Sequence, residues 1–245
     1  MYILGDIGNS DTKVYLVNPK NKIIKNINFP TKKVNNKILN NKFKFLFKNP
    51  KIIKKILFCS VVPKSFKLIK NFISKNLKKK CYEVKDLNLK QLININVNYK
   101  QVGSDRLTNA ISLLNNKDNF IILDFGTATT FDVVLKNRYK GGIIAPGVNL
   151  SLKTLVEKAK LIPNTKLMKI KNIIGKNTVN AVRSGFYWGY QGLIENIIKI
   201  IENKTKKKFK IVFTGGLSHL YKNAIKKKIT VDKDLTVKGL LRLVD

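Results

Sequence analysis

Ile3-Leu4-Gly5-Asp6-Ile7-Gly8-Asn9-Ser10 is a short apolar run that ends in Asp-x-Gly and polar residues. The same order returns at Ile121-Ile122-Leu123-Asp124-Phe125-Gly126-Thr127. Each copy leads into a second strand-like run, Val14-Tyr15-Leu16-Val17 after the first and Thr130-Phe131-Asp132-Val133-Val134-Leu135 after the second. Strand, glycine-containing polar turn and strand describe a β-hairpin. One such hairpin is common; one at the head of each half of the chain implies two related lobes. The polar stretch Asn115-Asn116-Lys117-Asp118-Asn119 precedes the second copy and sets the expected boundary, with lobes over 1–117 and 118–245.

The remaining segments alternate between strand and helix patterns. Lys55 to Pro63 reads as a strand leaving through a proline turn into a helix near Phe66–Asn76. Leu107, Ala110, Ile111 and Leu114 form one apolar helical face across Asp105 to Asn115. Thr178 to Ile201 reads as a long helix in which Gly185, Gly189 and Gly192 permit close packing. Lys210 to Gly216 is a strand closing in a Thr-Gly-Gly turn. The fold class expected is α/β, two related lobes with mixed sheets.

Composition sets limits on function. The chain has 245 residues, 49 basic against 14 acidic, and a formal net charge of +35. A 44% hydrophobic content provides enough apolar surface for a core and excludes a disordered basic tail. No apolar run reaches the roughly 18 residues that a membrane helix requires. The N-terminal residues lack a basic segment and place an acid at Asp6, so a secretory signal is not expected. Cys59 and Cys81 form neither a metal-type spacing nor a disulfide framework. A soluble cytoplasmic protein is the expectation. Only four basic residues are arginines, whereas nucleic-acid readers favour arginine for bidentate contacts. The lysine runs are scattered, which points to solvated faces, and neither a specific nucleic-acid partner nor a membrane is expected.

Glycine turns expose backbone N–H groups to an anion, and neighbouring hydroxyls and amides add donors. A carboxylate closing the preceding strand can hold Mg2+ beside bound phosphates. Two facing hairpins would clamp a nucleotide in a cleft, and Thr214-Gly215-Gly216 would let a nucleoside approach the backbone. Asp105 opens a predicted helix, where the macrodipole favours an anion; by residue type alone, a simple N-cap is the better reading. Gly175-Lys176-Asn177-Thr178 lacks the spacing of a phosphate-binding Walker loop. His219 stands alone as a turn or surface residue, Cys59 reads as core packing, and Trp188 as buried at a helix–helix contact.

Asp6-Ile7-Gly8-Asn9-Ser10, Gly103-Ser104-Asp105-Arg106, Asp124 to Thr130, Gly141 to Gly147 and Thr214-Gly215-Gly216 occur in that order over essentially the whole chain. Together they resemble the type III pantothenate kinase family, within the acetate and sugar kinase, Hsp70 and actin superfamily of ribonuclease H-like lobes. Ser104 stands where alanine is usual, and Ser10-Asp11 replaces the more common Thr-Asn. The resemblance implies ATP-dependent phosphorylation of pantothenate at its primary hydroxyl, the first step towards coenzyme A. It reverses the reading of Asp105, which becomes the base accepting the hydroxyl proton. It implies an ATP phosphate site over Asp6, Ile7, Gly8, Asn9, Ser10, Asp11, Thr12 and Lys13, with Mg2+ organised by Asp6. It places Thr127 on the nucleotide and assigns Asp124 to a monovalent cation, K+ or ammonium. Tyr99, Gly103, Ser104, Asp105, Arg106 and Thr178 fall at pantothenate-contacting positions. A homodimer is expected, with Trp188 in the helix region bordering its interface. Two other readings stay open: a different small-molecule kinase or phosphatase on this fold, and a non-catalytic nucleic-acid-binding regulator.

Overall fold

The structure is a computed structural model that describes residues 1–244. The chain forms two compact units, Met1–Leu114 joined by the C-terminal residues from Asp234 onward, and Asn115–Lys233.

The first unit is built on β1 (Tyr2–Ile7), β2 (Asp11–Val17), β3 (Ile23–Pro30), β4 (Lys55–Ser60) and β5 (Tyr82–Glu83). Their order is β3-β2-β1-β4-β5. β1, β2 and β3 are antiparallel neighbours, whereas β4 lies parallel to β1 and β5 parallel to β4. The register sets Asp6 opposite Lys13 on one side and Cys59 on the other. Ile3, Ile7, Ile56 and Phe58 feed one core with α1 (Asn36–Phe43) and α2 (Pro63–Leu77), to which α2 contributes Ile69, Phe72, Ile73 and Leu77. The i, i+3, i+4 spacing of those four is the apolar stripe of a core-facing helix. Pro63 does not precede this helix but begins it, because a missing N–H costs nothing in the first turn. Lys78 ends it in the left-handed conformation, at a terminus where a cation suits the dipole.

A short strand β6 (Asn94–Ile95) precedes α3 (Ser104–Leu113). The C-terminal helix, α7 (Leu235–Leu241 in the chain), packs on α3, so the expected assignment of 118–245 to one lobe does not hold for its last residues. Thr236 bonds Asn109 at 2.8 Å, and Arg242 Nη1 donates to the carbonyls of Ile111 (2.9 Å) and Leu114 (2.6 Å), satisfying acceptors at the end of α3. Gly239 makes the approach feasible: a Cβ there would fall 2.0 Å from the Thr108 carbonyl oxygen. Gly239→Ala is therefore expected to force the helices apart and cost about 1–3 kcal/mol. Chemical denaturation checks this, and an unchanged midpoint would show that the contact is not tight.

The second unit repeats the plan. Its strands are β7 (Asn119–Phe125), β8 (Ala128–Leu135), β9 (Arg138–Pro146), β10 (Lys210–Gly215) and β11 (Ile229–Val231), in the order β11-β10-β7-β8-β9. β7, β8 and β9 are antiparallel, and β10 and β11 run parallel on the other side of β7. Counted from its own first strand, each unit has the same strand order and the same directions. Asp6 and Asp124 thus occupy equivalent places, each near the end of a central strand.

Around this sheet lie α4 (Val148–Lys158), α5 (Thr178–Thr205) and α6 (Ser218–Lys222). Phe125 meets Phe213 edge-on with centroids 5.1 Å apart and stacks on Tyr221 at 5.5 Å, and Tyr187 also stacks on Tyr221 at 5.9 Å. Asn177 caps α5 by accepting from the Asn180 N–H at 2.9 Å. Gly185, Gly189 and Gly192 do not pack closely as expected: a Cβ at any of them would meet nothing within 4 Å. Trp188 is only half-buried, against the edge of Tyr187, and His219 is exposed on α6.

Candidate active site

The first hairpin turns at Gly8, whose N–H donates to the Asp11 carbonyl at 3.0 Å. Thr31 braces it from β3's end: its hydroxyl donates to the Gly8 carbonyl at 2.7 Å and its N–H to the Ser10 carbonyl at 2.8 Å. Thr12 is fully buried with its hydroxyl 2.9 Å from that of Thr31, and Ile7 is buried in the core. Their side chains shape the turn, so Ile7 and Thr12 have only backbone to offer a ligand. Asn9, Ser10 and Asp11 are exposed, and Lys13 is half-buried opposite Asp6.

Asp6 accepts from the Cys59 thiol at 3.4 Å. Burial, then the charge of Asp105, pushes the Asp6 carboxyl up to about 6, with Cys59 and Lys13 opposing. Burial and the same two carboxylates hold the Cys59 thiol well above its usual range, which keeps it protonated and able to donate. Cys59 is thus more than the core packing its apolar strand suggested, and nothing local in sequence marks the contact with Asp6. Two mutually repelling carboxylates suit a divalent cation, and Mg2+ is commonly held by one or two carboxylates plus substrate phosphates.

Asp105 lies in the first turn of α3, but it is not the cap; Gly103 occupies that position. The Asp105 carboxylate folds back to accept from the Arg106 N–H at 2.8 Å. A Cβ at Gly103 would fall 2.4 Å from Asp105 Oδ1, so a larger residue there would have to displace that carboxylate. Burial raises the Asp105 pKa, opposed by the Arg106 N–H and guanidinium and by Lys85. A carboxyl with raised basicity beside a fixed cation has the properties of a proton acceptor. Ser104 donates to the Ser60 carbonyl at 2.9 Å and anchors the start of this helix to β4. Tyr99 donates to the Lys85 carbonyl at 3.2 Å, under the Lys85 ammonium. A cavity of about 390 Å³ lies beside these segments, lined by Ser60, Phe66, Glu83, Lys85, Gly103 and Ser104 among others. The first unit therefore gathers Asp6, Lys13, Tyr99, Gly103, Ser104, Asp105 and Arg106.

The second unit holds the other candidates. Gly215 has φ +83°, and a Cβ there would lie 2.6 Å from Asp124 Oδ1 and 2.7 Å from the Phe125 carbonyl oxygen. The absent side chain leaves a carboxylate oxygen and a carbonyl oxygen beside this glycine, hard oxygen donors of the kind that suit a cation. Thr127 is exposed on the turn after β7, where Gly147 closes in; a Cβ at Gly147 would fall 2.1 Å from the Thr127 carbonyl oxygen. That contact accounts for the glycine that ends the Gly141–Gly147 segment. Thr178 is the exposed first residue of α5. Gly175 just before it packs on the helix start, with a Cβ only 2.2 Å from the Ala181 nitrogen, a packing role in place of a phosphate loop.

The raised Asp6 carboxyl has a measurable consequence. Unfolded, it ionises near 3.8; folded, near 6. Between those values the folded protein retains a proton that the unfolded chain releases, so stability falls as pH rises from about 4 to about 6. The penalty above that window is on the order of 2–3 kcal/mol. Asp6→Asn should therefore raise the melting temperature of the nucleotide- and Mg2+-free protein at pH 7.5 and leave it little changed at pH 4. Equal shifts at both pH values would contradict this origin.

Two units of one topology, each with a glycine turn behind a strand-ending aspartate, define the fold class of the sugar kinases, actin and Hsp70. The profile of the type III pantothenate kinase family matches residues 2–200, and the chain belongs to that family. It is 60% identical to the type III pantothenate kinase of Pelagibacter ubique (strain HTCC1062), covering 99% of this chain and 98% of that one. The type III pantothenate kinase of Sulfurihydrogenibium sp. (strain YO3AOP1) is 35% identical, with 98% of each chain covered. Among solved structures, an inorganic polyphosphate/ATP-glucomannokinase from Arthrobacter sp. strain KM matches with a TM-score of 0.51 at 11% identity, over 99% of this chain and 97% of its own. A Campylobacter jejuni protein described as a Baf family transcriptional activator matches with a TM-score of 0.64 at 20% identity, over 99% and 96%. At such identities these likenesses speak to fold alone.

Proposed function

We propose that the protein transfers the γ-phosphoryl group of ATP to the primary hydroxyl of pantothenate, giving 4'-phosphopantothenate, the first step of coenzyme A biosynthesis. The observation that carries this reading is Asp105, a partly buried carboxyl of raised pKa fixed beside Arg106 in the unit that also holds Asp6. Phosphoryl transfer asks the protein chiefly for positioning and charge neutralisation. Asp105 accepts the hydroxyl proton as the phosphoryl group arrives, and Arg106 offers a planar fork to the pantothenate carboxylate or the transferring phosphate. The turn from Gly8 to Asp11 supplies backbone and side-chain donors to the ATP phosphates, with Lys13 adding positive charge. Mg2+, held through Asp6, would neutralise the phosphate oxygens. K+ or ammonium at Asp124 would support nucleotide binding, with Thr127 on the nucleotide. Tyr99, Gly103, Ser104 and Thr178 complete the pantothenate contacts.

A cytoplasmic homodimer fits this reading. Leu161, Ile173 and Ile174 are 94%, 68% and 80% exposed in the second unit, and the α5 glycines leave an open face on the same unit. Such exposed apolar side chains are available for a second copy of the chain to cover. Among the described residues no helix is long and apolar enough to cross a membrane.

Mass spectrometry of the product formed from ATP, Mg2+ and pantothenate tests the proposal, with N-acetylglucosamine as the competing hydroxyl substrate. Phosphorylated pantothenate and untouched sugar are expected. Phosphorylation of the sugar alone would assign the chain to another kinase activity on this fold.

A further inference from the structure

Glu83, at the end of β5, lines the cavity beside α3, and both of its carboxylate oxygens accept backbone N–H groups. Oε2 takes the Lys85 N–H at 2.6 Å, an ordinary cap for the turn at Val84–Asp86. Oε1 instead reaches across to β4 and takes the Ser60 N–H at 3.2 Å. Each of these two residues passes the connection on through its carbonyl. The Ser60 carbonyl accepts from the Ser104 hydroxyl at 2.9 Å, one residue before Asp105. The Lys85 carbonyl accepts from the Tyr99 hydroxyl at 3.2 Å, and the Lys85 ammonium donates to the Lys100 carbonyl at 3.3 Å.

We propose that Glu83 is a positioning residue for phosphoryl transfer, a single carboxylate that sets the start of the Asp105 helix and the Tyr99 segment relative to one another through Ser60 and Lys85. The inference rests on the assignment of Asp105 as the base. Both partners of Glu83 are N–H donors, so both side-chain atoms must be acceptors, which only a carboxylate provides. Glutamine has nearly the same shape but turns an NH2 group towards one of those N–H donors, so one arm must open. Aspartate is one methylene shorter and cannot span both. Ordinary stabilisation alone would not confine the effect of such a change to one substrate. Positioning would, because displacing reacting groups by about 1 Å costs up to about a hundredfold in rate.

The test compares kcat and KM for pantothenate and for ATP in wild type, Glu83→Gln, Ser104→Ala and the double variant. Glu83→Gln is expected to lower kcat about tenfold or more and to raise KM for pantothenate, with KM for ATP within about twofold of wild type. The double variant is expected to fall well short of the product of the single effects on kcat, since both changes open one connection. A kcat within about twofold of wild type in Glu83→Gln, or fully multiplicative effects, overturns the proposal. Should Glu83→Gln fail to fold, Glu83→Asp, which keeps the charge but reaches only one arm, is measured in its place: a several-fold loss of kcat at unchanged KM for ATP supports the proposal, and an unchanged kcat overturns it. Active Asp105→Asn protein would instead count against the base assignment, so the two failures are distinguishable.

Discussion

Replacing Asp105 with asparagine is expected to lower the single-turnover rate of phosphoryl transfer by about 10²–10⁴-fold while ATP still binds. Asparagine retains the oxygen that accepts the Arg106 N–H, a contact of 2.8 Å, so the first turn of α3 stays intact. What it loses is the capacity to take a proton. Burial already disfavours a charge at this position, so the neutral amide should not destabilise the fold. A second effect follows from the coupling of the two carboxyls. The Asp105 charge is the second-largest cause of the high Asp6 pKa, so removing it should bring Asp6 down from about 6. The Asp6 penalty on stability would shrink with it. Rapid-quench measurement of product formation is the check on catalysis, with ATP binding followed by calorimetry. Retention of more than about a tenth of the wild-type rate would exclude Asp105 as an essential base.

Activity should be high in KCl or NH4Cl and close to background in NaCl. Gly215, at φ +83°, lies against both the Asp124 carboxylate and the Phe125 carbonyl, and Na+ gives up its hydration shell less readily than K+. The change should appear mainly in KM for ATP, because Asp124 and Thr127 follow one another around the turn after β7. Asp124→Ala should abolish the difference between salts by removing the anionic ligand. Ionic strength must be matched, because a chain of net charge +35 responds to salt through screening alone. Equal rates in the three salts would remove the cation from Asp124 and leave the kinase reading in place.

The two hairpins were legible because each carries its whole signal within about a dozen residues: an apolar run, Asp-x-Gly and a second apolar run. Their recurrence foretold two sheets of one plan, and the strand orders bear that out. The proposal of Asp105 as the base rests on the family motif, since residue type alone favoured a cap and the cap is in fact Gly103. Thr31 and Glu83 were not singled out, and Cys59 read only as core packing. Each acts on a residue distant in sequence, Thr31 on Gly8, Cys59 on Asp6 and Glu83 on Ser60, and sheet register rather than local pattern brings them there. The return of α7 to the first unit was also hidden, because its partner is the bare backbone of Thr108 met by Gly239. The α5 glycines misled for the opposite reason. A glycine permits a close approach without requiring one, and this chain leaves all three open.

In the proposed reaction pantothenate receives the phosphoryl group of ATP at the Asp105 site. This transfer is tested most directly by ADP release from the wild-type protein in MgATP and KCl, with pantothenate as the only component varied. ADP release should depend on pantothenate, saturate with it, and match phosphopantothenate formed one for one, and Asp105→Asn should remove it. ADP release that is the same with and without pantothenate would contradict the claim.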